Sequence, residues 1–224
     1  PDNTFDAYTL DEHGNILTNT NRAGQTTTVT YNSLGKVLTR TNPSTGTTTF
    51  TYHPDGNIAT AEDPETGLIS YTYDSLGRMT RADYPDTSYI DKTYTDADQL
   101  ETSRDERGNI YTYEYDSNGN LILEIDPKLN ETSYGYDQMD RMTVVTDRRG
   151  YTATYMYDDM DRLIMITDPN NVSVSYYYDE NGRKNRKVIG GREWLREYDA
   201  QGVLSRKTTP MNNDVSYESN GLGY

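Results

Sequence analysis

The chain has 224 residues, a net charge of −15 and no cysteine, with 33% hydrophobic residues and 22 Tyr against 2 Phe and 1 Trp. These values exclude a disulfide framework or thiolate metal site and leave little material for a dry core; because no Lys/Arg stripe offsets the acidity, nucleic acid and anionic membranes are poor partners. No run approaches the roughly 18 apolar residues of a membrane span, so no membrane insertion is expected, and the segment from Pro1 to Tyr224 reads as an excised or processed piece of a longer chain.

From the N-terminus onward, the predicted elements are hairpins. The residue just before each turn is Leu10, Tyr31, Tyr52, Tyr73, Tyr94, Tyr115, Tyr136, Tyr157, Tyr178, Tyr198 and Tyr217, spaced by eight intervals of 21 and then by 20 and 19. Four residues after each anchor stands Gly14, Gly35, Gly56, Gly77, Asp98, Gly119, Asp140, Asp161, Gly182, Gly202 or Gly221. A type I turn followed by a left-handed residue wants Asp or Asn first and Gly fourth, and Asp is among the few substitutes tolerated at positive φ.

Before each anchor the chain alternates with period two. Tyr8, Val29, Phe50, Tyr71, Lys92, Tyr113, Tyr134, Tyr155, Tyr176, Arg196 and Val215 fall on one face, and Thr28, Thr49, Ser70, Thr112, Ser133, Thr154 and Ser175 on the other. That pattern predicts a strand with an aromatic face and a hydroxyl face. Six residues past the anchors, Ile16, Val37, Ile58, Met79, Leu100, Leu121, Met142, Leu163 and Leu204 predict a returning strand whose apolar residue sits opposite the anchor tyrosine. "TNRAG", "TNPSTG", "EDPETG", "RDERG", "IDPKLN", "TDRRG" and "TDPNN" then supply a second turn, since Asp-Pro or Asn-Pro followed by Gly or Asn is turn chemistry. Each unit is strand, turn, strand, turn, and no segment reads as a helix. One hairpin cannot bury its tyrosine face alone, so the repeats are expected to lie edge to edge in one antiparallel sheet.

The word Tyr-Asp-x-x-Gly-Arg, strongest in "YDSLGRMT" and "YDENGRK" and altered to Asp in "YDQMDRMT" and "YDDMDRLI", resembles the YD-repeat of the Rhs/YD-repeat family. The resemblance covers about ten units. It implies an all-β fold of tandem 21-residue hairpins forming one long spiralling sheet, a segment of a hollow shell or tube. In bacterial Rhs proteins and the insecticidal toxin-complex cocoon such a shell encloses a toxic C-terminal domain, and in teneurins a similar barrel serves adhesion. Family shells end in a core segment rich in Asp-Pro-x-Gly and Asn, with aspartates that release the toxin. "MNNDVSYESNGLGY" is still repeat-like, so that activity is not carried over.

The residues expected to matter are structural repeat positions: Tyr73, Asp74, Gly77 and Arg78; Tyr115, Asp116 and Gly119; Tyr136, Asp137 and Arg141; Tyr157, Asp158 and Arg162; Tyr178, Asp179, Gly182 and Arg183. The aspartates open turns and bond the backbone, because a catalytic residue is rarely repeated at every period. The arginines pair with turn aspartates or lie over the tyrosines of a neighbouring repeat. The tyrosine rings are expected to pack against one another as an inner ladder rather than to form a sugar-binding face, and Trp194 to be a packing anchor rather than a ligand platform.

Asp158, Asp159 and Asp161, or Asp96 and Asp98, lack the spacing of a calcium loop. His13 and His53 stand in separate repeats, and Ser33, Ser75 and Ser117 have no paired histidine. Asn130 and Asn171 open glycosylation sequons that matter only in a eukaryotic secretory setting. No catalytic residue, metal or cofactor is expected. The expected domain organisation is a single array over residues 1–224, part of a larger chain. The expected role is a non-enzymatic scaffold in a secreted bacterial protein, enclosing a toxin or other cargo. The alternative is a cell-surface adhesin that binds glycan, or an extracellular filament. Its partners are the remainder of its own chain or further copies across open sheet edges.

Overall fold

The computed structural model describes residues 7–211 and 214–216, and every regular element among them is a strand. The anchor Tyr217 and the turn residue Gly221 lie outside the described residues. The strands belong to a 21-stranded sheet, and the chain divides into two compact units, Pro1–Thr112 and Tyr113–Tyr224. The first holds β1 (Ala7–Leu10), β2 (Ile16–Thr20), β3 (Thr26–Tyr31), β4 (Val37–Asn42), β5 (Gly46–Tyr52), β6 (Ile58–Asp63), β7 (Gly67–Tyr73), β8 (Met79–Asp83), β9 (Tyr89–Tyr94) and β10 (Leu100–Arg104). The boundary falls inside β11 (Ile110–Tyr115). The second unit continues with β12 (Leu121–Ile125), β13 (Glu131–Tyr136), β14 (Met142–Thr146), β15 (Thr152–Tyr157), β16 (Leu163–Thr167), β17 (Ser173–Tyr178), β18 (Lys184–Ile189), β19 (Arg192–Tyr198), β20 (Leu204–Thr208) and β21 (Asp214–Ser216). Within each unit a strand pairs antiparallel with its neighbours in sequence, as β7 does with β6 and β8, and β15 with β14 and β16.

The register is the one the alternation predicts. Tyr73 faces Met79, Tyr157 faces Leu163 and Tyr198 faces Leu204, each anchor opposite the residue six positions on. Immediately after that pair the register slips by one. Thr72 faces Arg81, leaving Thr80 as an extra residue, and the same slip recurs between Thr30 and Tyr31, between Gly135 and Tyr136 and between Tyr177 and Tyr178. This is a β-bulge on the returning strand of each tyrosine hairpin, a device that adds twist and leaves ladder groups unpaired. Nothing in the period-two pattern marks it.

One turn serves the anchor edge and recurs on much of the opposite edge. Asp74 N–H donates to the Arg78 carbonyl (3.0 Å) and Gly77 N–H to the Asp74 carbonyl (3.0 Å); on the opposite edge Asp105 and Gly108 repeat the pattern with Asn109 (2.9 and 2.9 Å). In "IDPKLN" the left-handed residue is Leu129 (φ 62°), not the Asn130 that the turn chemistry points to. Asn130 instead closes the turn, its amide donating to the Asp126 carboxylate at 2.7 Å. Thr87 (φ 71°) occupies the same left-handed position in "YPDTS". At Gly67 a side chain is shut out twice, by φ +81° and by the Pro85 ring of the next repeat, whose Cγ stands 2.7 Å from where a Cβ would be.

Among the described residues only Ala82 is a buried hydrophobic. Each unit is thus a single layer of sheet. Exposure alternates along β3 and β15, and one face carries paired hydroxyls, as in Thr30 with Thr39 (2.6 Å), Thr51 with Thr60 (2.6 Å) and Thr146 with Thr152 (3.0 Å). Left-handed backbone costs a β-branched residue roughly 1–2 kcal/mol, part of which the extra freedom of unfolded glycine cancels. Thr87→Gly is therefore expected to raise stability by about 1 kcal/mol in urea unfolding, and Gly67→Ala to lower it by more than that.

Candidate functional site

The repeat positions meet across hairpins, and the join is the same each time. Tyr31 Oη donates to the Ile16 carbonyl (2.9 Å), Tyr52 to Val37 (2.6 Å), Tyr94 to Met79 (2.9 Å), Tyr136 to Leu121 (2.9 Å), Tyr157 to Met142 (2.9 Å), Tyr178 to Leu163 (2.7 Å) and Tyr198 to Lys184 (3.0 Å). Every acceptor is the residue opposite the preceding anchor, next to the register slip. A buried phenol needs a partner, and the bulge of the previous repeat supplies one. Burial pushes the hydroxyls of Tyr73, Tyr115, Tyr136 and Tyr178 above their ordinary range.

A cation lies over the ring. Arg78 stands 4.4 Å from the Tyr94 ring centre, Arg141 5.0 Å from Tyr157, Arg162 4.7 Å from Tyr178, Arg183 4.7 Å from Tyr198 and Lys36 5.3 Å from Tyr52. The expected ring-on-ring ladder is replaced by rings alternating with cations. The aromatic pair described is His53 with Tyr73, edge-on at 5.9 Å. Anchor tyrosines of successive hairpins stand on alternate strands, about 9–10 Å apart and too far for direct ring stacking, and the long Arg stem fills that space while its head stays wet.

Each arginine also belongs to its own turn. Nε of Arg78, Arg141, Arg162 and Arg183 donates to the carboxylates of Asp74, Asp137, Asp158 and Asp179 at 2.7, 2.8, 2.7 and 2.6 Å. The second carboxylate oxygen of Asp74 takes the backbone N–H of Leu76 and of Arg78, both at 3.0 Å. Asn fills the arginine's place at Asn120, bonded to Asp116 (3.0 Å), and on the opposite edge at Asn109, bonded to Asp105 (2.8 Å). Sequence reading passed over these asparagines, although their place directly after the left-handed residue is the signal that finds them.

Where Asp replaces Gly at the left-handed position, the previous repeat supplies a donor. Arg78 reaches Asp98 (2.6 Å), Asn118 and Asn120 reach Asp140 (2.8 and 2.7 Å), and Arg141 reaches Asp161 (2.7 Å). Where Gly is kept, the neighbour's cation lies close to the backbone: Arg162 Nη1 is 3.9 Å and Arg183 Nη1 3.2 Å from where a Cβ would stand on Gly182 and Gly202. Gly77 and Gly119 hold the same left-handed turn position. His53 takes the turn-opening place and its Nε2 meets the Tyr71 carbonyl at 3.1 Å. Among the described residues no three His, Cys, Asp or Glu side chains are grouped to hold a metal.

The arrangement makes the turn aspartates acid-sensitive. The Arg141 and Arg162 side chains, followed by backbone N–H donors, hold Asp137 and Asp158 below the ordinary 3.8, and Asn120 does so for Asp116. Burial works against the same shift in Asp74 and Asp179, where the arginine and backbone donors prevail. A carboxylate whose folded pKa is depressed stabilises the fold above its unfolded pKa and loses that contribution as pH falls through the folded value. Melting temperature is expected to hold from neutrality to about pH 4 and to fall below it. Tyr157→Phe, which strips one inter-repeat hydrogen bond, is expected to cost about 1 kcal/mol in urea unfolding.

One region departs from the rest of the chain. Residues 183–207 carry eight Lys/Arg against three Asp/Glu, whereas the remainder carries 13 against 33, so the expectation that no basic stripe offsets the acidity is overturned on β18 to β20. The folded register gathers Lys187 opposite Trp194 and Arg196 opposite Lys207, with Lys187 Nζ 5.7 Å from the indole centre. Trp194, half-buried on β19, lines a hollow with Lys184, Lys187, Arg196 and Lys207.

Compared with known proteins, the chain matches the family model described as the teneurin YD-shell over residues 2–111 and 106–223. No curated protein matches it. Among solved structures it resembles TcdB2-TccC3 (16% identity, TM-score 0.70, covering 91% of this chain and 13% of that one) and a TcdB2-TccC3-TEV structure (16%, 0.69, 90% and 13%). It also resembles a Tc holotoxin pore of Photorhabdus luminescens mutated in TccC3 (16%, 0.69, 97% and 14%). The chain therefore shares their fold and spans about one seventh or less of their length.

Proposed function

The chain belongs to the teneurin YD-shell family, and on that premise we propose that it is a stretch of shell wall: a structural, non-enzymatic part of a larger extracellular protein whose repeats form a single array around a cargo domain. The observation that carries this reading is the single-layer sheet extended by one repeated join. A sheet in which, among the described residues, Ala82 alone is a buried hydrophobic has two open faces, as a wall has. The tyrosine and arginine positions are spent on attaching each hairpin to the one before it. The turn aspartates that recur with the period are bonded to backbone N–H groups and to their own arginines, which suits carboxylates that hold shape rather than move protons. The likeness to a Tc holotoxin supports a toxin as the cargo.

The test is the mass and protease resistance of the polypeptide purified from its native source. The expected result is a chain far heavier than the 25.6 kDa of this segment, with a guest domain that survives digestion until the repeats unfold. A native species of 25.6 kDa that grows into fibres would overturn enclosure by a single chain, because the repeats of separate copies would then be pairing edge to edge.

A further inference from the structure

Apart from the Lys184 carbonyl, which accepts from Tyr198, the hollow on β18 to β20 lies outside the join between repeats, and its chemistry selects a ligand. Tyr176, Lys187 and Trp194 form one row across three strands by direct pairing. Two residues along β19, Arg196 pairs with Lys207. Paired residues of adjacent strands share a face, so these five side chains stand together on the anchor-tyrosine face. Lys184, opposite Tyr178, adds a further cation, its Nζ 3.9 Å from the Tyr176 ring centre. The space between them is about 160 Å³, room enough for one six-membered sugar ring.

We propose that this hollow binds an acidic saccharide residue, with the ring's apolar face on the Trp194 indole and its carboxylate or sulfate among Lys184, Lys187, Arg196 and Lys207. Three features of the hollow support that assignment. Every polar side-chain group of Lys184, Lys187, Trp194, Arg196 and Lys207 is a hydrogen-bond donor, and none accepts. The ligand must then bring acceptors, and a carboxylate or sulfate, which accepts only and carries the opposite charge, answers these cations more strongly than the hydroxyls of a neutral sugar. No carboxylate lines the space, so the positive charge is not answered from within, although the whole chain is strongly acidic. The indole offers a flat apolar platform, which a sugar ring fills and a free sulfate ion or the aliphatic stem of Asp or Glu does not. The site stands whether or not the wall encloses a cargo.

Trp194 is the chain's single tryptophan, so its fluorescence reads this site alone. The probes are oligogalacturonate and a sulfated oligosaccharide, titrated separately to find which anionic group is taken. Neutral malto-oligosaccharide, sodium sulfate and polyglutamate serve as competitors for each part of the assignment. The expected result is a saturable change with one or both acidic sugars. The apparent affinity should fall at least about tenfold in K187Q/K207Q and should weaken as salt rises from about 50 to about 200 mM, because screening shortens the reach of the lysines. Trp194→Phe, checked for native circular dichroism, should lose retention on an acidic-sugar column while keeping its thermal transition. Equal effects from sodium sulfate, equal binding of polyglutamate or the neutral sugar, or wild-type affinity in the folded K187Q/K207Q variant would each overturn the proposal.

Discussion

The hydrogen bond from an anchor tyrosine to the carbonyl of the residue opposite the preceding anchor is the constraint on which the rest of the structure depends. It links residues 15 apart in sequence, as Tyr157 with Met142, or 14 apart for Tyr198 with Lys184, and it works only because the returning strand slips register just there. The bulge disrupts the ladder beside the carbonyl, and the tyrosine of the next hairpin satisfies that carbonyl while burying its own ring edge. A sheet with almost no buried side chain cannot be held by a dry core. It is held by polar groups that each need the neighbouring repeat.

The arginine over each ring extends the same logic. Arg141 bonds Asp137 in its own turn, lies over Tyr157 of the next hairpin and reaches Asp161 in the next turn. One side chain thus couples turn geometry within a repeat to attachment between repeats. This explains why Asp is accepted at a left-handed position that otherwise takes Gly: the strain is offset by a donor from one period earlier. Partly exposed ion pairs contribute little singly, but here the guanidinium also covers the ring and closes a turn. Interactions of this kind join nearest neighbours and no others, so stability accumulates along the array rather than residing in one centre.

The β18 to β20 region breaks the regularity in two ways at once. The spacing shortens from 21, and the local charge reverses sign. The tyrosine hydroxyl of Tyr198 still finds its carbonyl at Lys184, so the join between repeats survives the shorter spacing. The side chains freed from the repeat pattern are Lys187, Trp194 and Lys207, and the register sets them side by side. A structural scaffold thereby acquires a chemically distinct surface without a change of fold.

Much of this was legible in residues alone. The 21-residue period, the alternation through Tyr71 and Tyr73, the turn words from Asp74 to Arg78 and the pairing of Tyr73 with Met79 are local properties, because turn chemistry and period-two patterning act over a few residues. The recurrence of arginine after the turn pointed to a turn aspartate or a neighbouring tyrosine as its partner, and the folded chain uses both at once. The bulge at Thr80, the left-handed Leu129 and Thr87, the asparagines that stand in for arginine, and the cations that separate the tyrosine rings did not. They depend on how one hairpin sits against the next, a distance no single repeat contains. The basic hollow was hidden for the same reason: its cations lie on three strands, up to 23 positions apart in sequence, and only the antiparallel register folds them onto one face beside Trp194.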